Sequence, residues 1–175
     1  DPNHLNLGIR YGYIEQLDDE LLRISKESFD ALSFNCYALS PDHEKMNHAL
    51  EISGLPMIIG EYHFGTVDRG LAQSLWQVNS QKERGDAFQY YTENAFAHRG
   101  LIGTGWFRWI DQNINGRTDG ENYNCGFIDV TDSPYPYMVD AAIEAAKSLY
   151  EIHSGTKTPF HQAPNAVGHS PIPDL

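Results

Sequence analysis

The chain has 175 residues, 41% of them hydrophobic and 21% charged, enough for one globular core. It contains no apolar run of the length that spans a bilayer. Twelve basic against 24 acidic residues give a formal charge of −12, which repels phosphate backbones and argues against nucleic acid as a partner. Neutral ligands such as sugars suit this surface. The 12% aromatic content suits ring-on-sugar packing, though it suits an ordinary core equally well. Two cysteines, Cys36 and Cys125, make neither a disulfide framework nor a zinc site and read as buried free thiols.

A strand is predicted over residues 4–11, where Leu5, Leu7 and Ile9 alternate with other types. Asp18 caps a helix that runs to about Ser28, with Asp19 and Glu20 near its positive end. The second strand falls over 31–37. The pair Ser40-Pro41 then reads as N-cap and first helical residue, with Gly54 as the left-handed stop. The third strand, 56–62, is almost continuously apolar until Gly60-Glu61, as buried parallel strands are. After a longer excursion over 63–79, Ser80 and Glu83 form a capping box, and Phe88, Tyr91 and Ala95 give that helix its buried stripe. The fourth strand covers 101–107, followed by a polar, glycine-rich loop over 111–131. Pro134 or Pro136 opens the last helix, which stops at Gly155.

Four strand–helix units in series imply an α/β fold with a parallel sheet and right-handed crossovers. No G-x-G-x-x-G follows the first strand, which removes the main argument for a nucleotide-binding domain. Polar and aromatic residues gather instead at the C-terminal strand ends, where barrel enzymes keep their chemistry. The expected architecture is a parallel (β/α)4 half of a TIM barrel over residues 1–155. Residues 156–175, with four prolines and no periodicity, read as an extended tail.

Glu61 is the central observation, because a carboxylate directly after an apolar strand is costly to bury without a purpose. A structural salt bridge to Arg10 or Arg108 is the plainer alternative. Glu61 stands within Gly60-Glu61-Tyr62-His63-Phe64-Gly65, with Asp68-Arg69-Gly70 close behind. Further on come Gly105-Trp106-Phe107, then Gly116-Arg117-Thr118-Asp119-Gly120-Glu121-Asn122-Tyr123, Gly126-Phe127-Ile128-Asp129-Val130 and Pro134-Tyr135-Pro136. The opening runs Asp1-Pro2-Asn3-His4-Leu5-Asn6-Leu7-Gly8-Ile9-Arg10. Together and in this order, these motifs resemble the C-terminal half of glycoside hydrolase family fifty, the β-agarases of clan A.

The resemblance makes the four strands numbers five to eight of the barrel and Glu61 the nucleophile of a retaining hydrolase acting on agarose-like galactans. It implies a secreted or periplasmic location; from the residues themselves, no cofactor or metal is expected. Retention requires a second carboxyl about 5–5.5 Å from the first. In the clan that group belongs to an Asn-Glu pair at the end of strand four, and this chain has no such dipeptide. The chain is therefore expected to carry the nucleophile without the acid/base, and to need a missing N-terminal half-barrel or to self-associate through its open sheet edges.

Substrate-binding candidates surround Glu61. Arg10 can pair with it, and Asn35 and Tyr37 end the second strand, where a hydroxyl could orient it. His63 could bond substrate or serve as a structural donor. Trp106 is expected beneath a sugar ring, whereas Trp109 is balanced between sugar contact and core packing. Asp111, Glu121 and Asn122 are read as substrate-contacting or loop-organising. His43 and His48, five apart, share no helix face and read as solvated. Two further hypotheses remain: a non-catalytic carbohydrate-binding half-barrel, and a metal-dependent hydrolase for which no third ligand to accompany Glu61 and His63 is evident.

Overall fold

The structure, a computed structural model, describes residues 3–168. The start of the opening motif, Asp1-Pro2, and residues 169–175 of the expected tail lie outside the described residues. Four parallel strands form one sheet in the order β1 (Arg10–Tyr11), β2 (Leu32–Asn35), β3 (Met57–Tyr62) and β5 (Leu101–Trp106). Helices α1 (Asp19–Ser28), α2 (His43–Ser53), α3 (Gln81–Phe96) and α4 (Pro136–His153) connect and follow them. A second, two-residue pairing joins β4 (Trp76–Gln77) to β6 (Val167–Gly168). The expected α/β class with a parallel four-stranded sheet is what the chain adopts, and the arrangement is that of a partial barrel.

Strand alternation decides which side chains enter the core. Leu32 and Phe34 of β2, and Met57 and Ile59 of β3, are buried against the helices. They meet Leu22, Met46, Ala49, Ala87, Tyr91 and Met138 there. The opposite face carries Ser33, Asn35, Ile58 and Gly60, only partly buried.

The elements match their local signals with instructive departures. Asp18 caps α1 through the backbone N–H of Leu21 at 2.8 Å. The cap of α2 is Asp42, not Ser40: its carboxylate accepts from Glu44 and Lys45 N–H at 2.9 and 3.2 Å, and a charged acceptor outcompetes a hydroxyl at a positive helix end. Gly54 ends α2 with φ of 68°, as expected. Ser80 caps α3, but Glu83 reaches back to Asn79 N–H at 2.9 Å, one residue beyond a strict capping box. Pro136 opens α4.

The first strand is far shorter than residues 4–11. Asn6 is held instead by the end of α1, its N–H donating to Asp30 Oδ2 at 2.7 Å and its amide to Ser28 O at 3.0 Å. Gly8 then turns the chain at φ of 71°, which breaks an extended ladder. Leu5 and Ile9 are left 75% and 61% exposed. Ile102 on β5, the opposite edge, is 55% exposed. Both outer strands thus present an unpaired edge with apolar side chains beside it.

Candidate active site

Regular alternation along β3 would send Glu61 to the same side as Met57 and Ile59, into the helix layer. A bulge prevents this. Phe34 pairs with Ile59 and Asn35 with Glu61, so Gly60 is the extra residue on β3. Gly60 and Glu61 both turn away from the helices, and Tyr62 returns to the buried side. Glycine is needed there, since a Cβ on Gly60 would stand 2.4 Å from Arg10 Cδ.

At its new position Glu61 is gripped from two neighbouring strands and the loop above one of them. Arg10 Nη2 lies 2.9 Å from Oε1. On Oε2, Asn35 Nδ2 donates at 3.1 Å and Tyr37 Oη at 2.8 Å. The Glu61 side chain keeps 18% of its surface open, so the carboxylate is oriented yet reachable. Burial, followed by the hydrogen bond to Glu61, pushes the Tyr37 phenol well above its ordinary range and keeps it a donor. Sequence reasoning missed Tyr13, which precedes the 3-10 turn Ile14–Gln16. Its phenol is pushed up by burial and then by the nearby Glu61 charge.

His63 is not a free substrate donor. It is almost fully buried, its Nδ1 faces Phe107 O at 3.1 Å, and its Nε2 accepts from Leu75 N–H at 3.1 Å. Burial pushes its pKa down to about 3, so the ring is neutral and ties three segments together. Tyr37 packs edge-on against it with centroids 4.9 Å apart.

Trp106, expected at a sugar face, turns towards the helix layer. It packs edge-on against Tyr62 and Phe88 at 5.1 and 5.4 Å, and its indole N–H donates to Cys125 O at 2.7 Å. Alternation past the end of β5 then gives the mouth to Phe107, whose ring lies near His63 and beneath Arg117. Trp109 is 68% exposed and stacked on Phe127 with centroids 5.9 Å apart.

The loop over 111–135 is held from below. Asp111 is buried and accepts from Asn124 Nδ2, Gly126 N–H and Tyr135 Oη, the last at 2.6 Å. Arg84, fully buried on α3, donates to the carbonyls of Asn124 and Gly126 and lies 4.4 Å from the centre of the Tyr135 ring. Of the two roles open to Asp111, the buried one is the loop-organising one. Asn122 ties Ala72 N–H to Ile114 O. Glu121 is half-exposed, accepts from Gln112 Nε2 at 2.7 Å and pairs with Arg117 at 3.3 Å. Arg117 also bonds Asp119, so its charge is already matched.

Cys36 and Cys125 are buried and unpaired, and burial pushes their thiols up to about 11 and 12. Among the described residues no group of three or more His, Cys, Asp or Glu is arranged to hold a metal ion. The geometry offers a positioned, partly exposed carboxylate, with the rings of Tyr37, Phe107 and Tyr123 gathered around His63 beside it.

No family model matches the chain. It is 37% identical over 156 residues to Beta-agarase A of Vibrio sp. (strain JT0107), a match that covers 85% of this chain and 16% of the relative. Among solved structures it is similar to the agarase AgWH50C, with 38% identity and a TM-score of 0.81 over 87% of this chain and 24% of that one. An exo-beta-agarase shows 36% identity and a TM-score of 0.79, over 87% of this chain and 20% of the other. The chain thus spans about a sixth of the curated relative it matches.

Proposed function

We propose that this chain supplies the nucleophile half of a retaining glycoside hydrolase acting on β-glycosidic bonds of agarose-type galactans. Its strands are numbers five to eight of a (β/α)8 barrel, and the first four come from polypeptide beyond these residues. One observation carries the reading: a glycine bulge turns Glu61 to a partly exposed position, where Arg10, Asn35 and Tyr37 fix both carboxylate oxygens. Such over-determination of a reachable carboxylate is what a nucleophile needs and an ordinary surface ion pair lacks. Similarity to agarases over most of the chain supplies the substrate class.

In this mechanism a Glu61 oxygen forms a bond to the anomeric carbon as the bond to the leaving sugar breaks. A second carboxylic acid, contributed by the other half of the barrel, protonates the departing oxygen. The same group then takes a proton from water as that water displaces Glu61. Arg10, Asn35 and Tyr37 hold the carboxylate in line before attack and receive its returning charge afterwards.

Reducing-sugar release from agarose tests this, with the chain alone, the chain mixed with a first half-barrel, and the mixture carrying Glu61→Gln. Turnover in the mixture only, abolished by the substitution, is the expected result. A 2-fluoro galactoside should leave a covalent mass increment on the peptide containing Glu61. The alternative reading is a non-catalytic carbohydrate-binding half-barrel. Oligosaccharide binding without turnover in any mixture would establish that reading instead.

A further inference from the structure

Residues 156–168, which have no periodicity in the sequence, are tied down along their length. Thr156 and Lys157 N–H groups donate to Glu151 O at the end of α4. Phe160 N–H donates at 2.7 Å to Glu93, a buried carboxylate on α3, and Phe160 O accepts from Asn94 at 3.0 Å. Ala166 packs against the core. The segment then ends as β6, antiparallel to β4, with Gly168 opposite Trp76 and Val167 opposite Gln77. No Cβ fits at Gly168, because it would stand 2.7 Å from Trp76 Cζ2.

The strand it pairs with belongs to the loop that follows Glu61. Gly65 N–H donates to Trp76 O at 2.9 Å, and Val78 N–H donates to Gly65 O at 2.9 Å, so Gly65, β4 and β6 form a three-layered ribbon. Next to Trp76, the Leu75 N–H donates to His63 Nε2 at 3.1 Å. The His63 ring supports the edge of Tyr37, and Tyr37 donates to Glu61 at 2.8 Å. From the tail to the carboxylate there are four contacts.

We infer that Gly168 and Trp76 are positioning residues for Glu61: the tail closes a ribbon that fixes Leu75 and His63, and through them the tyrosine that orients the nucleophile. The inference rests on the proposed role of Glu61, but the ribbon can be tested apart from it. A Gly168→Val substitution cannot be accommodated against Trp76. In the 175-residue chain it should raise amide hydrogen exchange over residues 63–78 while leaving exchange in α1 and α2 unchanged. In the assembled enzyme it should lower kcat about tenfold or more, since displacements of this kind near a reacting group act on rate. KM should change less than kcat, because the ribbon reaches Glu61 through His63 and Tyr37.

Should Gly168→Val fail to fold, a chain ending at Gly155 offers the second route, with a synthetic peptide of residues 156–168 added back. Restored protection at 63–78 together with restored kcat supports the inference. Faster exchange with unchanged kcat overturns it, as does unchanged exchange. If Glu61→Gln proves active, the nucleophile reading falls, and the exchange experiment still decides whether the tail closes the ribbon.

Discussion

Replacing Tyr37 with Phe removes one atom and leaves the ring that packs on His63 in place. The atom is the hydroxyl that donates to Glu61 Oε2 at 2.8 Å. A hydrogen bond to a charged group contributes roughly 1.5–3 kcal/mol. Arg10 and Asn35 still hold the carboxylate, so the lower end applies, a rate effect of roughly 10- to 30-fold. The direction differs between the two chemical steps. In the proposed mechanism Glu61 gives up its charge to the sugar during attack, and losing a donor costs little beyond alignment. During hydrolysis of the glycosyl-enzyme Glu61 is the leaving group and regains its charge, so the missing donor slows this step most. Tyr37→Phe should therefore accumulate the covalent intermediate. The assay is rapid-quench kinetics of an activated aryl galactoside with the assembled enzyme. A burst of aglycone followed by a slower steady state is expected. A steady state within twofold of the parent, or a loss as large as that of Glu61→Gln with no burst, would refute the reasoning.

Three further outcomes follow from the same geometry. Asp111→Ala removes the acceptor of Asn124, Gly126 and Tyr135 and leaves Arg84 buried without its nearest acidic compensation, so urea denaturation should show a loss of about 3–5 kcal/mol. Gly60→Ala places a methyl 2.4 Å from Arg10 Cδ; it should displace Arg10 from Glu61 and lower kcat about tenfold with little change in the thermal midpoint. His63, with a folded pKa of about 3 against an ordinary 6.5, binds its proton more readily once unfolded. Its contribution to stability is complete above pH 6.5 and is lost as pH falls towards 3, at up to about 1.4 kcal/mol per unit. His63→Asn should flatten the urea-derived stability profile between pH 6 and 4 by close to one proton, and an unchanged slope would show that His63 is not the titrating group.

Glu61, Arg10, Asn35 and Tyr37 were legible as neighbours because each ends or follows a strand, and parallel strands deliver their C-terminal ends to one rim. The helices were legible from caps and apolar spacing, apart from the Asp42 cap, where two acceptors compete within three residues. What escaped the sequence depends on register. The bulge at Gly60 reverses the facing that period-two alternation assigns to Glu61, and only the pairing with Asn35 reveals it. The same limit hid the turn of Trp106 into the helix layer, since one residue decides whether Trp106 or Phe107 meets the mouth. Nothing local to Arg84 announces the carbonyls and tyrosine ring that receive it. The ribbon between β4 and β6 joins segments about ninety residues apart, with two residues from each, too short for any periodic signal.

The proposed partition of the site between this chain and the rest of a barrel has a physical logic. Every group that grips Glu61 comes from β1, β2 or the residues after them, all on one side of β3. On the other side stand Phe107 and the loop bearing Glu121 and Arg117, whose charges are already satisfied by one another and by Asp119. In the proposed mechanism the second carboxyl approaches Glu61 from above the sheet face, between these two flanks. A free carboxylate placed within this chain at 5–5.5 Å would compete with Glu61 for Arg10 and Asn35 and weaken the orientation they provide. In the proposed assembly an acid/base from the opposite half of the barrel would keep the two carboxyl groups close in space without sharing donors. That separation allows one to remain an acid while the other attacks.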